Sequence, residues 1–221
     1  MTNATLFFSS LVSCFKHPRI TIIISVGLLS IIVVLNLILS NNILASNNNC
    51  STGWKVTGYF SPLESDYEGK GHLRTITIHS LNDRSHTTTR VLNSEFLKDV
   101  QVEGWGQTKQ GDFIGGWDGK FWGPSYAPVT DLGQPLIAGV SAATDRNVIQ
   151  YESNFTIPTL PSPWNNKTFT ATDVGSGIVG KHIDIYTGVG SAAEQETYRI
   201  TKMKANTICL SQNEGAGHKD A

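Results

Sequence analysis

The sequence has 221 residues, with 17 Lys and Arg against 18 Asp and Glu and a formal net charge of −1. That balance supplies no basic face and gives no case for nucleic acid as a partner. Lys16 and Arg19 are the only formal charges before Lys55, so nearly all the charge lies in the C-terminal part, whose length suits one domain.

In chain order, residues 20–39 read ITIIISVGLLSIIVVLNLIL, aliphatic and uncharged. Twenty residues at about 1.5 Å each cross a hydrocarbon core of about 30 Å, and a helix satisfies its own backbone polar groups there. This predicts a single-pass transmembrane anchor. The competing reading is a cleaved signal peptide, whose apolar stretch is usually only about 7–15 residues. Lys16, His17 and Arg19 precede the span, so residues 1–19 are expected in the cytoplasm and the rest outside it.

Residues 40–53 are rich in Asn and Ser and read as a flexible tether. The exported domain is expected over 54–211, with a disordered tail over 212–221. Cys50 and Cys209 bracket that domain, and in an oxidising compartment they either pair or remain two buried thiols; pairing is the expectation.

Alternating apolar residues predict strands over 54–60 and 73–78. Asn93 or Ser94 caps a predicted helix over 95–100. Residues 104–135, rich in Gly, Trp and Asp, read as loops around short strands. Further strands are expected over 155–157, 168–172, 182–186, 198–201 and 207–210. Ser191-Ala192-Ala193-Glu194 has the form of a capping box and should open a short helix. Many short strands with Gly and Pro turns give a mainly β barrel or sandwich.

The most informative stretch runs from Asp173 to Tyr186. Asp173 ends one strand, Asp184 lies inside the next, and Gly175, Gly177 and Gly180 lie between them. A glycine-rich turn lets backbone approach a ligand, and neighbouring carboxylates resist joint ionisation, so one of them stays an acid near neutral pH. The alternative is structural: an Asp capping a turn beside an ordinary loop. Asp145, Asp173, Asp184 and His182 are also potential metal donors, but they lack ligand spacing, and no metal or cofactor is expected.

These residues resemble the 3D domain, named for three aspartates. Asp173-Val174-Gly175-Ser176-Gly177-Ile178-Val179-Gly180-Lys181-His182-Ile183-Asp184-Ile185-Tyr186 is similar to its signature, and Ala142-Ala143-Thr144-Asp145 fills the place of its upstream aspartate. Where that family has a Pro-x-Gly-Thr turn, this chain has Gln150-Tyr151-Glu152-Ser153. Val56-Thr57-Gly58-Tyr59-Phe60-Ser61-Pro62 and Val102-Glu103-Gly104-Trp105-Gly106-Gln107 resemble segments of the membrane-bound lytic transglycosylase A family.

The resemblance implies a double-psi β-barrel with residues 65–135 as a loop-rich elaboration. It also implies cleavage of the β-1,4 glycan bond of peptidoglycan, or of another surface polysaccharide, with Asp184 as the acid and base. Asp173 and Asp145 would assist. Tyr59, Glu103, Trp105, Gly175, Gly177 and Lys181 are the expected substrate-binding residues, with Trp117 and Trp122 as further aromatic surfaces. A non-catalytic module that binds envelope glycan is the alternative.

Overall fold

The computed structural model describes residues 49–201 and 205–211. The expected cytoplasmic segment, anchor, most of the tether and the tail lie outside them. Among the described residues no helix is long and apolar enough to cross a membrane.

The chain is mainly β with two α-helices. In order, the elements are β1 (Cys50–Ser61), a 3-10 turn (Glu64–Tyr67), β2 (Leu73–His79), β3 (Thr87–Asn93), α1 (Ser94–Glu103), β4 (Trp105–Gln107), β5 (Phe113–Trp117), β6 (Lys120–Ser125), β7 (Ser141–Thr144), β8 (Asn154–Thr156), a 3-10 turn (Trp164–Asn166), β9 (Thr168–Asp173), β10 (His182–Val189), α2 (Gly190–Thr201) and β11 (Asn206–Leu210).

Six strands close a barrel in the order β1-β10-β7-β9-β8-β11. Its first three strands in sequence, β1, β7 and β8, repeat the pairing of its last three, β9, β10 and β11. β1 runs parallel to β10 and antiparallel to β11. β9 likewise runs parallel to β7 and antiparallel to β8. The remaining pairs, β10/β7 and β11/β8, are antiparallel and close the barrel. The barrel interior takes inward-facing apolar residues, including Trp54 and Val56 of β1, Phe155 of β8, Phe169 of β9 and Ile183 and Ile185 of β10. Cys50 and Cys209 stand opposite each other in the β1/β11 pair and are joined by a disulfide.

Residues 73–125 form the elaboration, a five-stranded sheet in the order β3-β2-β6-β5-β4. Ile76, Ile78, Leu92, Phe96, Leu97 and Val100 give it a separate core beneath α1. A third cluster joins sheet to barrel. Trp105, Phe113 and Leu136 pack on Tyr186, with Tyr59 beside them.

The structure differs from the sequence reading in three places. Residues 50–53, assigned to the tether, begin β1 and pair with β11. The strand expected over 198–201 is the last turn of α2; Ala193, Thr197 and Ile200 are buried at helical spacing. That helix starts at Gly190, and its Ser191 N–H is bound by Asp66 Oδ2 at 3.0 Å, so a distant carboxylate serves its first turn.

Candidate active site

Residues of β1 and β10 that point away from the barrel core face the second sheet. On β1 these are Thr57 and Tyr59, the alternates of buried Val56. On β10 they are His182, Asp184 and Tyr186, the alternates of Ile183 and Ile185. Between barrel and sheet lies a groove of about 1130 Å³. Asp173, Asp184, Asp131 and Glu103 line one part of it, and Arg84 and His86 of the β2–β3 connection line another.

Asp173 reaches this face through a bulge. Ala142 of β7 pairs with Ala171, but Ala143 pairs with Asp173, so β9 carries one extra residue, Thr172. Without it Asp173 would share the inward face of Phe169 and Ala171. A bulge turns a side chain in this way while leaving the ladder on either side intact. Ala143 also pairs with Asp184 on its other side. The two aspartates therefore flank one small residue, with backbones about 10 Å apart at two strand spacings. The Ala143 methyl leaves the space between them open.

Asp184 Oδ1 accepts the Thr57 hydroxyl at 2.6 Å. Burial pushes its carboxyl from 3.8 up to about 6, opposed by the Thr57 bond and Lys55 and reinforced by Asp173. Asp173 is also raised, chiefly by burial. It accepts Tyr59 O–H at 3.0 Å and the Asp131 N–H at 3.2 Å. Burial, and then the charge of Asp173, raise the Tyr59 phenol well above its usual range, so Tyr59 stays a donor.

Glu103, at the end of α1, accepts the Phe60 N–H at 3.2 Å. Burial pushes it up to about 7, with the charge of Asp184 adding to the effect. Two walls of the groove thus each present a carboxyl whose ionisation is shifted well up toward neutral pH.

Of the remaining sequence-selected residues, Gly175, Trp105 and Trp117 line the groove. Trp105 packs edge-on to Trp117, which stacks on Trp122 at 5.8 Å. Trp122, Gly177 and Lys181 do not line it. The Lys181 ammonium donates to the Thr52 carbonyl at 3.0 Å and lies over Trp54. Asp145 is also outside. Its Oδ2 accepts the Gly180 N–H at 2.8 Å and its Oδ1 the Asn147 N–H at 2.9 Å. These bonds, Gly180 first, hold it below the usual carboxylate range. It clamps the glycine-rich loop.

Sequence reading missed Thr57, Ala143 and Asp131. Thr57 had a usable signal, since it stands two residues before Tyr59 on the same strand face. Among the described residues no His, Cys, Asp and Glu group is arranged to hold a metal ion.

The 3D domain family matches residues 140–205. This chain carries a 3D domain. That segment contains β7 to α2, and so all three aspartates and the bulge that aims Asp173. No curated protein matches the sequence. Among solved structures, E. coli MltA with bound chitohexaose superposes with a TM-score of 0.51 at 17% identity, covering 72% of each chain. Neisseria gonorrhoeae MltA gives 0.48 at 14% identity, covering 73% of this chain and 72% of that one. The lytic transglycosylase LtgG of Burkholderia pseudomallei gives 0.44 at 18%, covering 73% and 71%. The first likeness shows that the 3D domain and its second sheet share a fold with MltA; nothing is drawn from the other two.

Proposed function

We propose that this chain is a membrane-anchored, extracytoplasmic lytic transglycosylase of cell-wall glycan, with Asp184 as its single acid and base. The observation that carries the reading is the position of Asp184. It is a half-buried carboxyl raised to about 6, on a groove wall, with Oδ2 free of protein partners among the described residues. The mirrored pairing of the barrel halves supports the double-psi topology. The likeness to a structure that holds chitohexaose supports a β-1,4-linked amino-sugar chain as ligand. The aliphatic run over 20–39 supports the anchor.

In the proposed reaction the glycan lies in the groove with a muramic acid ring beside Asp184. Asp184 gives its proton to the glycosidic oxygen as the bond to C1 breaks. The ring's own 6-hydroxyl attacks C1, and Asp184, now a carboxylate, takes the hydroxyl proton. No water is consumed, and the product carries a 1,6-anhydro end. One carboxyl suffices because the nucleophile belongs to the substrate, unlike hydrolysis with a paired base or nucleophile. Asp173, held by Tyr59 and the Asp131 N–H, orients the sugar and disfavours ionisation of Asp184. Trp105 and Trp117 offer apolar faces to the rings.

Release of soluble muropeptides from insoluble peptidoglycan by the full-length chain tests this. Wild type should release them, and Asp184→Asn should be slower by about 10²–10⁴-fold. Equal rates, or binding to glycan with no release by wild type, would leave a binding module instead.

A further inference from the structure

His182 does not line the groove, yet it is wired to Asp184. Its Nε2 lies 3.0 Å from Thr57 Oγ1, and its Nδ1 lies 3.0 Å from the Gly177 carbonyl oxygen. Thr57 Oγ1 in turn lies 2.6 Å from Asp184 Oδ1. Strand register makes the chain: Thr57 stands opposite Asp184 and Lys55 opposite His182 in the β1/β10 pair.

Counting protons restricts what this chain can be. A carbonyl oxygen only accepts, so Nδ1 carries a hydrogen. A neutral imidazole then has a bare Nε2, which requires the Thr57 hydroxyl proton. Thr57 has only one, so its oxygen must accept from a protonated Asp184 Oδ1. If instead Asp184 is ionised, Thr57 donates to Oδ1, and Nε2 must carry a hydrogen, making the ring a cation. All three bonds are made only when one proton is held between His182 and Asp184.

We propose that His182, acting through the Thr57 hydroxyl, is a positioning residue that shares one proton with Asp184. This rests on the catalytic reading of Asp184 given above. Losing the shared proton breaks one bond of the chain, so the network resists deprotonation as a unit. In the acid step the carboxyl proton passes from the Thr57 bond to the glycosidic oxygen, and the Thr57 hydroxyl turns to donate to the new carboxylate. The other groups facing the pair are Lys55 and Tyr59 from β1, Asp173 from β9 and Glu103 from α1. None of them is bonded to the Thr57 hydroxyl. Burial, with Lys55, holds the imidazole below its usual value, which favours the form with the proton on Asp184.

Two measurements on the full-length chain test the proposal. Just below the Asp184 titration, where that carboxyl still holds its proton, imidazole nitrogen NMR should show His182 with hydrogen on Nδ1 and a bare Nε2 that is shifted by a donor. Thr57→Val should return the Nε2 shift to that of an unbonded nitrogen. Second, the alkaline limb of kcat/KM should fall by about half to one pH unit in His182→Phe. It should stay in place in Thr57→Ser, which keeps the hydroxyl. Hydrogen on Nε2 in the neutral ring, no effect of Thr57→Val on that nitrogen, or a His182→Phe limb that does not move while the rate falls uniformly would each overturn the shared proton. A wild type without turnover defeats the enzyme reading, and the nitrogen spectrum then decides the proton's place by itself.

Discussion

At the scale of single residues, the proposed acid Asp184 carries a stability cost. Its carboxyl titrates at about 6 in the folded chain against an ordinary 3.8. Between those values the folded state binds more protons than the unfolded one, so stability falls as pH rises through that window and stays lower above it. Asp184→Asn should therefore raise stability by about 2–3 kcal/mol at pH 7.5. The gain should vanish below about pH 4, where both states are protonated. Denaturant unfolding of both proteins at the two pH values checks this. Glu152 gives the opposite case. It stands where the resembled family has glycine and adopts φ of +64° with its side chain exposed. A left-handed backbone is uncommon for a side-chain-bearing residue, so Glu152→Gly should stabilise by about 0.5–1 kcal/mol in a thermal melt, without changing turnover.

Residue by residue, the aspartates were legible, and the resemblance set Asp184 apart as the acid, with Asp173 beside it and Asp145 either bonding the loop or binding substrate. Asp145, Asp173 and Asp184 are alike in the primary structure. What distinguishes them is that Asp145 has the backbone N–H groups of Gly180 and Asn147, while the other two face a groove. The aim of Asp173 depends on an extra residue in β9, and a bulge has no compositional signature in Thr170-Ala171-Thr172-Asp173.

At the scale of elements, Asn93 is the joint between β3 and α1. Its Oδ1 accepts the N–H groups of Glu95 and Phe96, and its Nδ2 donates to the carbonyls of Tyr67 and Lys70. Asn93→Ala removes a helix cap and two loop bonds together and should cost about 2 kcal/mol by chemical denaturation. Asn93→Asp keeps the cap alone and should cost less. The cap was readable because a helix N-terminus is advertised by a short polar side chain. β1, β9 and β10 were readable from their alternation. β7 was not: Ser141-Ala142-Ala143-Thr144 is small and wholly buried, with neither alternation nor β-branched bulk. β5 and β6 carried a missed signal in Asp118-Gly119. Both residues have positive φ, and Trp117 pairs with Lys120 across a two-residue hairpin. The last turn of α2 was misread because Tyr198-Arg199-Ile200-Thr201 is rich in strand-favouring types, and packing of Ile200 in the barrel core overrode that preference.

At the scale of the whole molecule, the two ends of the barrel domain are tied by Cys50–Cys209 across a sequence separation of 159 residues. Removing such a long loop constraint should cost about 2–5 kcal/mol. Cys50→Ser/Cys209→Ser should unfold at correspondingly lower denaturant, and a reducing agent should have the same effect on wild type alone. The groove exists only because the second sheet faces the outer surface of the barrel. The sequence indicated an elaboration over 65–135 but not which barrel face it covers. That face is chosen by contacts distant in sequence, with Trp105 and Phe113 packing against Tyr186.

The proposed mechanism has Asp184 drive an intramolecular ring closure rather than hydrolysis. Digestion of peptidoglycan by wild type in heavy-oxygen water, with mass analysis of the new sugar ends, measures this directly. 1,6-Anhydro ends without heavy oxygen are expected from wild type and should be lost in Asp184→Asn. Reducing ends that carry heavy oxygen, or anhydro ends formed equally by Asp184→Asn, would contradict it.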